Sequence, residues 1–184
     1  FFKHCLPLEA GQVLMQPALG KLFRLRGEKG ESVFYEGEVA DAIVAAVNRS
    51  GGNMTKADLK NYKMYTLTPI KGTYRGYEIF SMPPSASGGA HVVQLLNIME
   101  NFDVKAMGHN TPMFVLTLAE ATKLVIADRT KYMADTAFVK VPLAGLQSQA
   151  YALTLAAKLA SQVVADTVAA GDPWKFEKAQ KSAY

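Results

Sequence analysis

Three histidines, His4, His91 and His109, are the first residues to test for chemistry, since imidazole is both a common metal ligand and a common general base. None of them has a second histidine or a cysteine at the spacing of a zinc site, and His4 is too close to Cys5 in sequence to define a site. We therefore predict no metal ligand and no cofactor-binding residue. The expected role of these histidines is to face solvent or to cap helices.

Two serines, Ser85 and Ser87, lie in a proline- and glycine-rich loop over residues 83–89, just before a helical pattern. A nucleophilic serine is one interpretation, but the surroundings are not G-x-S-x-G and no Asp/His partner pattern accompanies them. An anion-binding nest at the helix N-terminus is another, but the phosphate-loop signature with its lysine is missing. A tight turn between strand and helix explains the same residues and is the favoured interpretation.

Asp128 and Arg129 are adjacent opposite charges late in a long helical pattern. They could pair with Lys131 or Asp135, or bind a partner chain. The favoured interpretation is a buried Arg–Asp network that braces two helices. Trp174, which follows Asp-Pro, is expected to anchor the end of the chain or to pack on another chain.

Acidic residues Glu36, Glu38 and Asp41 gather at the predicted start of a helix, where negative charge favours the helix dipole. Nothing marks them as general acids. From the residues alone no catalytic group survives, so the predicted sets of catalytic, substrate-binding, cofactor-binding and metal-binding residues are all empty.

The composition indicates the class of protein in which these residues lie. The chain has 184 residues, 49% hydrophobic and 20% charged, which is typical of a globular domain rather than a disordered chain. Its net charge of +4 comes from scattered Lys and Arg, so nucleic-acid binding is not expected. No apolar run approaches the roughly 20 residues of a membrane span. Cys5 is the one cysteine, and the segment Phe1–Cys5 is not typical of a signal peptide.

Periodicity and capping residues predict a helix-dominated mixture of α and β structure. The one strong β signal is a hairpin, Thr68–Tyr74 and Tyr77–Met82, with Arg75-Gly76 between the strands. The predicted helices begin at Gln16-Pro17 (ended by Gly27 and Gly30), Glu36 (to Gly51), Thr55 (to Tyr62), Val92 (to Met99), Thr111 (to Met133) and Ser148 (to Ala169). The tail over residues 174–184 is predicted to be loose, in a chain that is otherwise one unit over residues 1–184.

Apolar spacing also predicts which helix faces are buried. For the helix after Thr111 the expected inward residues are Val115, Leu118, Thr122, Val125 and Ile126. For the helix before it they are Val92, Leu95, Leu96 and Met99.

Several strings, in order along the chain, carry a more specific signal. They are Leu14–Leu19, Phe34–Ala40, Gly51–Thr55 with Asp58, Leu59 and Tyr62, Gly72–Tyr77, Ser81–Pro84 with Ser87–Gly89, Gln94–Ile98, Gly108–Asn110, Ala119–Ala121 with Ala127–Arg129 and Tyr132, and Phe138–Val139 with Val141–Pro142. In this order and spacing the chain resembles the large subunit of bacterial gamma-glutamyltranspeptidase, from about Gly11 to Tyr151 and more loosely to Trp174. One departure is Pro84–Ser87, where the family usually has a third proline and paired serines.

The resemblance implies a fold and an activity. The fold is the α+β sandwich of the N-terminal nucleophile (Ntn) hydrolases, αββα, to which this chain supplies a helix-dominated part with the hairpin at about 68–82. The family's precursor cuts itself into a large and a small subunit. The small subunit's N-terminal threonine then attacks a gamma-glutamyl amide such as glutathione, with its own α-amine as base, and passes the acyl group to water or to an amine.

The resemblance places this chain in the C-terminal half of the large subunit, which is expected to be inactive alone. The family's Thr-Thr-His junction does not occur in the sequence, and every threonine here is internal. The arginine that holds the substrate carboxylate is expected in the earlier half. None of the arginines Arg24, Arg26, Arg49, Arg75 and Arg129 matches its motif. No catalytic residue is therefore carried over.

The expected partner is the small catalytic subunit of the same precursor. Its expected contact surface includes the hairpin, placed at the edge of a larger sheet, the loop to Gly89 and the chain after Gly171. Apolar side chains meant for that partner should be exposed in this chain alone. The expected location is periplasmic or secreted. Two alternatives stay open: a related acylase of the cephalosporin-acylase or capsule-transpeptidase type, and a non-catalytic helical interaction module.

Overall fold

The computed structural model describes residues 2–3, 6–161 and 166–177. Its contacts group the chain into two compact units, Phe1–Tyr65 and Thr66–Tyr184, where the sequence analysis treats residues 1–184 as one. His4 and Cys5 lie outside the described residues, as does the end of the chain after Glu177. None of the described helices is long and apolar enough to cross a membrane.

The first unit consists of helices after a small antiparallel pair of strands. Its elements are β1 (Phe2–Lys3), β2 (Leu6–Pro7), α1 (Pro17–Lys29), α2 (Ser32–Tyr35), α3 (Glu38–Arg49) and α4 (Lys56–Lys60). The predicted start of α4 is confirmed as a capping box. The Thr55 hydroxyl accepts from the Asp58 amide, while the Asp58 carboxylate accepts from the Thr55 amide at 2.7 Å. These hydrogen bonds lower the pKa of the exposed Asp58 carboxyl.

The second unit contains a hairpin and three long helices. Its elements are β3 (Ile70–Tyr74), β4 (Tyr77–Ser81), α5 (Gly88–Met99), α6 (Val104–Met107), α7 (Pro112–Tyr132), α8 (Leu143–Leu146), α9 (Gln149–Ser161) and a 3₁₀ helix (Pro173–Phe176). The Thr111 hydroxyl caps α7 by accepting from the Phe114 amide, as predicted from Thr-Pro.

The predicted hairpin is confirmed. Strands β3 and β4 pair antiparallel, with Tyr74 opposite Tyr77, around a two-residue turn. Both turn residues have positive φ, 49° at Arg75 and 87° at Gly76, as a tight turn matched to the strand twist requires. No third strand pairs with the hairpin in the described part of the chain. The expectation that it lies at the edge of a larger sheet therefore fails for this chain taken alone.

The hairpin packs on helix α5 at very short range. Ile70 of β3 forms a small core with Ala90 and Val93 of α5. Opposite Val93, a Cβ added to Gly72 would lie 2.6 Å from the valine Cγ1. Gly72 is thus required by close approach rather than by a turn, and its lack of a side chain lets the hairpin lie directly on the helix.

The main core lies between α5, α7 and α9. The fully buried side chains from these helices include Ile98, Ala121, Leu124, Val125, Tyr151, Ala152 and Leu155. Burial of this apolar surface is the dominant stabilising contribution to the unit.

The predicted inward faces are wrong in part. On α7 only Val125 of the five predicted residues is fully buried, whereas Val115 is 53% and Ile126 47% exposed. The buried residues are instead Ala121, Leu124, Val125 and Asp128. On α5, Val92 is exposed and the polar Gln94 and Asn97 are buried. The prediction assumed that the large apolar residues of each helix face the core. In the structure the helices pack closely through small residues and through polar residues that are hydrogen-bonded.

The C-terminal part also differs from prediction. Helix α9 ends at Ser161, and residues 166–172 are not helical, so the predicted extension to Ala169 is wrong. The prediction of a loose tail is wrong for residues 174–177, which belong to or follow the 3₁₀ helix. That segment is ordered by packing, because Pro173 is buried and the Phe176 ring lies 5.4 Å from that of Tyr151. The remainder of the predicted tail lies outside the described residues.

The expected exposure of apolar side chains is confirmed. In the second unit the exposed residues include Tyr77, Phe80, Met82 and Val92 on the hairpin and α5, and Met113, Val115, Leu116 and Ile126 on α7. A groove of about 720 Å³ runs beside α7, with Val115, Leu118 and Ile126 among its lining residues. Apolar surface grouped in this way is typical of a chain that contacts another.

Candidate functional site

The most developed polar cluster is built around Asp128, which lies on α7 and has no exposed surface. Its Oδ2 accepts hydrogen bonds from Gln94 Nε2 of α5 at 2.6 Å and from the Tyr151 hydroxyl of α9 at 2.7 Å. Its Oδ1 accepts from the Gly171 amide at 2.9 Å. One carboxylate thus joins three helices and the segment after α9.

Gly171 is held from a second side as well. Its carbonyl accepts a hydrogen bond of 2.7 Å from the Tyr132 hydroxyl at the end of α7. A Cβ added to Gly171 would lie 2.2 Å from the Tyr151 hydroxyl oxygen, so only glycine fits at this point. We refer to Gln94, Asp128, Tyr132, Tyr151 and Gly171 as the Asp128 cluster.

The charge state of the Asp128 cluster follows from its donors. Burial, and then the adjacent Asp128 carboxylate, raise the pKa of the Tyr151 phenol, so the hydroxyl keeps its proton and donates it. The carboxylate receives three hydrogen bonds and has no salt-bridge partner among the described residues. A buried anion is tolerated when its oxygens are satisfied in this way.

The prediction for Asp128 and Arg129 is half confirmed. Asp128 does brace helices from within the core, but Arg129 is not part of that network. Its side chain is exposed, and its Nε donates to the Ser87 hydroxyl at 2.9 Å. The alternative that these two residues pair with Lys131 or Asp135 is not seen among the ion pairs of the described residues.

His91, on α5, departs from the expected solvent-facing or capping role. It is only 7% exposed, and its Nδ1 lies 3.1 Å from Gln94 Oε1. Since Gln94 donates its amide to Asp128, its oxygen must accept from His91, which places the imidazole proton on Nδ1. His91 Nε2 is buried and has no hydrogen-bond partner among the residues that the structure describes. Protonation there would create a buried N–H without an acceptor.

This geometry predicts a pH dependence. Burial is the largest effect and lowers the pKa of His91 below its ordinary value of 6.5. The hydrogen bond with Gln94 acts against it, the Arg129 charge lowers the pKa further, and the Asp128 charge raises it. Below that ordinary value the unfolded chain takes up a proton that the folded chain resists, so the stability contributed by neutral His91 is lost as the pH falls.

We expect the thermal midpoint of the intact protein to fall between pH 7.5 and pH 5, and His91→Gln to reduce that fall. Glutamine can still donate to Gln94, but it does not titrate. His109→Gln is the matched control, because His109 is exposed. Thermal melts of the three proteins at several pH values check this, and equal pH dependence in all three would contradict it.

The remaining candidates form no catalytic arrangement. Ser87 contacts an exposed arginine rather than a base, and Ser85 has no recorded partner in the described chain. In the same described ranges no three His, Cys, Asp or Glu side chains are placed to hold a metal ion. Trp174 is 40% exposed, with Lys140 Nζ 6.0 Å from its ring.

The acidic residues at the start of α3 form ion pairs at the surface. Glu36 pairs with Lys60 at 3.1 Å, and Asp41 pairs with Lys56, in both cases with more than half of the acidic side chain exposed. Exposed ion pairs of this kind contribute little to the free energy of unfolding. The interpretation of these acids as helix-start residues stands.

Sequence reasoning found one member of the Asp128 cluster and missed the others. Gln94, Tyr151 and Gly171 lie 34, 23 and 43 positions from Asp128, so no local spacing connects them. One signal was present: a polar glutamine inside an apolar helical run requires a buried partner.

Comparisons with known proteins identify relatives of this chain, which the site geometry alone cannot do. A family model described as gamma-glutamyltranspeptidase matches residues 1–183. A glutathione hydrolase proenzyme of Escherichia coli (strain K12) is 45% identical over 85% of this chain and 27% of its own length. An acylase ACY 1 proenzyme of Pseudomonas sp. (strain V22) is 42% identical over 79% of this chain and 26% of its own length.

A solved structure gives the fold. The crystal structure of Helicobacter pylori gamma-glutamyltranspeptidase matches with a TM-score of 0.78 and 37% identity, covering 90% of this chain and 48% of that one. The predicted fold class, a helix-dominated α+β part of an Ntn hydrolase, is confirmed by this likeness. The chain spans about a quarter of the length of the curated relatives described above.

Proposed function

The chain belongs to the gamma-glutamyltranspeptidase family, and on that premise we propose that it is the C-terminal part of the large subunit of a gamma-glutamyltransferase precursor. The observation that carries the proposal is the family match over residues 1–183. The intact protein would cleave gamma-glutamyl amides such as glutathione. It would transfer the gamma-glutamyl group to water or to the amine of an amino acid or peptide.

The proposed chemistry takes place on the small subunit. Its N-terminal threonine hydroxyl adds to the gamma-glutamyl carbonyl while the free α-amine takes the hydroxyl proton. The C–N bond breaks, the leaving amine receives that proton, and the gamma-glutamyl group stays on the threonine oxygen as an ester. Water or an acceptor amine then attacks the ester and releases the threonine. An oxyanion hole, also on the small subunit, stabilises both tetrahedral intermediates.

The role proposed for this chain is to support that subunit without contributing a reacting group. Three observations favour this role. Asp128 is fully enclosed and its hydrogen bonds are internal. The Ser87 hydroxyl accepts from Arg129, and no base lies beside it in the described ranges. His91 is buried with its Nδ1 directed at Gln94. We propose no cofactor and no metal.

The proposed partner is the small subunit of the same precursor. Exposed apolar side chains on the hairpin and α5 support a contact there, since Tyr77 is 77%, Phe80 63% and Met82 66% exposed. These residues belong to the surface that the sequence analysis assigned to the partner. We also propose a periplasmic or secreted location for the intact protein, which fractionation of the producing cell would test.

The two alternatives are not favoured. A non-catalytic helical module has no support, because the family match covers nearly the whole chain. A related acylase is a weaker proposal, since the glutathione hydrolase of Escherichia coli is matched at higher identity and over more of the chain than the Pseudomonas acylase.

The substrate class is tested on the intact precursor. We expect the matured protein to hydrolyse a gamma-glutamyl anilide at least about 100-fold faster, in kcat/KM, than a glutaryl amide. A site that hydrogen-bonds the α-amine of its substrate rejects an analogue that lacks this group by a large factor. Release of the anilide chromophore and of the glutaryl product measures the two rates. Preference for the glutaryl amide would favour the acylase and contradict the proposal.

A further inference from the structure

The segment Gly171–Glu177, which we call the strap, lies against the helical core of the second unit. We propose that the strap is a positioning device for maturation: it holds the chain that leads to the subunit junction, and Asp128 and Tyr132 are positioning residues that act through Gly171. This inference rests on the proposed function, because it concerns the cleavage that separates the two subunits.

The first anchor of the strap is Gly171. Its amide donates to the enclosed Asp128 carboxylate at 2.9 Å, and its carbonyl accepts from the Tyr132 hydroxyl at 2.7 Å. Both polar groups of one peptide segment are therefore bound to the core. The contact with the Tyr151 hydroxyl is so close that no side chain fits at this position.

The second anchor lies six residues further along. The Glu177 carboxylate accepts a hydrogen bond of 2.6 Å from the Gly145 amide of α8. A Cβ added to Gly145 would lie 2.1 Å from the Pro173 carbonyl oxygen, so α8 and the strap are also in direct backbone contact. Between the anchors, Pro173 is buried and Phe176 packs on Tyr151.

Two anchors fix both the place and the direction of the strap. The anchors themselves are polar hydrogen bonds, whereas most of the buried apolar residues of the core lie on α5, α7 and α9, with Phe176 of the strap packed against them. The anchors hold the start of the following chain at a fixed point. Fewer residues before the junction are therefore free to change conformation. Reactions within a chain depend steeply on such placement, because a misplacement of about 1 Å can cost about 100-fold in rate.

The step that the strap would assist is hydrolysis of the peptide bond before the small subunit's threonine. Water adds to the carbonyl of that bond and the C–N bond breaks. One product ends in a new carboxylate, and the other begins with the free α-amine that the proposed activity requires. The strap takes no part in the bond changes.

The test uses the full-length precursor with two strap variants and a matched control. Gly171→Ala forces the strap away from Tyr151, and Tyr132→Phe removes one hydrogen bond to it. Gly27→Ala is the control, because Gly27 lies on α1 and a methyl group at that glycine meets nothing within 4 Å. We expect the half-time for appearance of the two subunits to lengthen at least about tenfold in Gly171→Ala, less in Tyr132→Phe, and not in Gly27→Ala.

Two further readouts separate positioning from general stability. Leu124→Ala weakens the core and leaves the hydrogen bonds of both strap anchors in place, since Leu124 is an apolar residue buried on α7. At a temperature where every variant is folded, it should mature at the wild-type rate. Trypsin should cut after Lys175 faster in Gly171→Ala than in Leu124→Ala. The fraction of Gly171→Ala that does mature should keep the kcat and KM of the wild type.

The outcomes are distinguishable. If the wild-type precursor yields no second chain, the proposed function fails. If the wild type matures and Gly171→Ala matures equally fast, the strap inference alone is overturned. It is overturned as well if Leu124→Ala delays maturation as much as Gly171→Ala does.

Discussion

Asp128→Ala is expected to lower the free energy of unfolding of the intact protein by at least about 3 kcal/mol. The substitution removes the acceptor for two buried donors, the Gln94 amide and the Tyr151 hydroxyl, and for the half-buried Gly171 amide. Each unsatisfied buried donor costs about 1–3 kcal/mol, and the cavity adds to this. Since whole domains are stable by about 5–15 kcal/mol, this one change is a large fraction of the total.

Denaturant unfolding and thermal melts of the intact protein check this result, with a midpoint lowered by at least about 6 °C. Asp135→Ala is the control, since Asp135 is an exposed aspartate just after the same helix and its carboxylate accepts from the Ala137 amide. This control should lower the free energy of unfolding by no more than about 1 kcal/mol. Equal stability of the two variants would contradict the account of the Asp128 cluster.

Tyr151→Phe gives a milder form of the same test, should Asp128→Ala fail to accumulate as folded protein. It removes one of three donors to the carboxylate and leaves the ring packing against Phe176 in place. The expected cost is about 1–2 kcal/mol. No loss of stability in this variant would show that the Tyr151 hydroxyl does not serve Asp128.

Local signals predicted the elements of this fold well. The Arg75-Gly76 turn, the Thr55–Asp58 capping box and the Thr111-Pro112 helix start each depend on residues within a few positions of one another. Backbone preference and capping chemistry act over that range, so a single sequence contains them.

The contacts that position the polar cluster could not be predicted in the same way. Asp128 meets Gly171 only because α7 and α9 pack closely, and that packing depends on small residues such as Ala121 and Ala152 rather than on a stripe of large ones. The buried face of α7 was misassigned for this reason. Burial of His91 likewise depends on neighbours distant in sequence, which its own surroundings along the chain do not reveal.

The proposal that the reacting group lies on another subunit is the most consequential part of the account. If the reacting threonine begins another subunit, replacing that threonine by alanine should leave the precursor uncleaved and lower kcat/KM at least about 1000-fold. Replacing Ser87 by alanine should change kcat/KM by less than about twofold, because Ser87 only meets an exposed arginine. A large loss of kcat/KM in Ser87→Ala would indicate that a reacting group lies in this chain.

The central claim, that this chain is a non-catalytic part of a self-cleaving precursor, is tested most directly by the masses and first residues of the matured polypeptides. The account predicts two chains: one that contains Thr66–Glu177 intact, and a second that begins with threonine. An active protein that stays a single chain, or a cleavage point between Thr66 and Glu177, would contradict it.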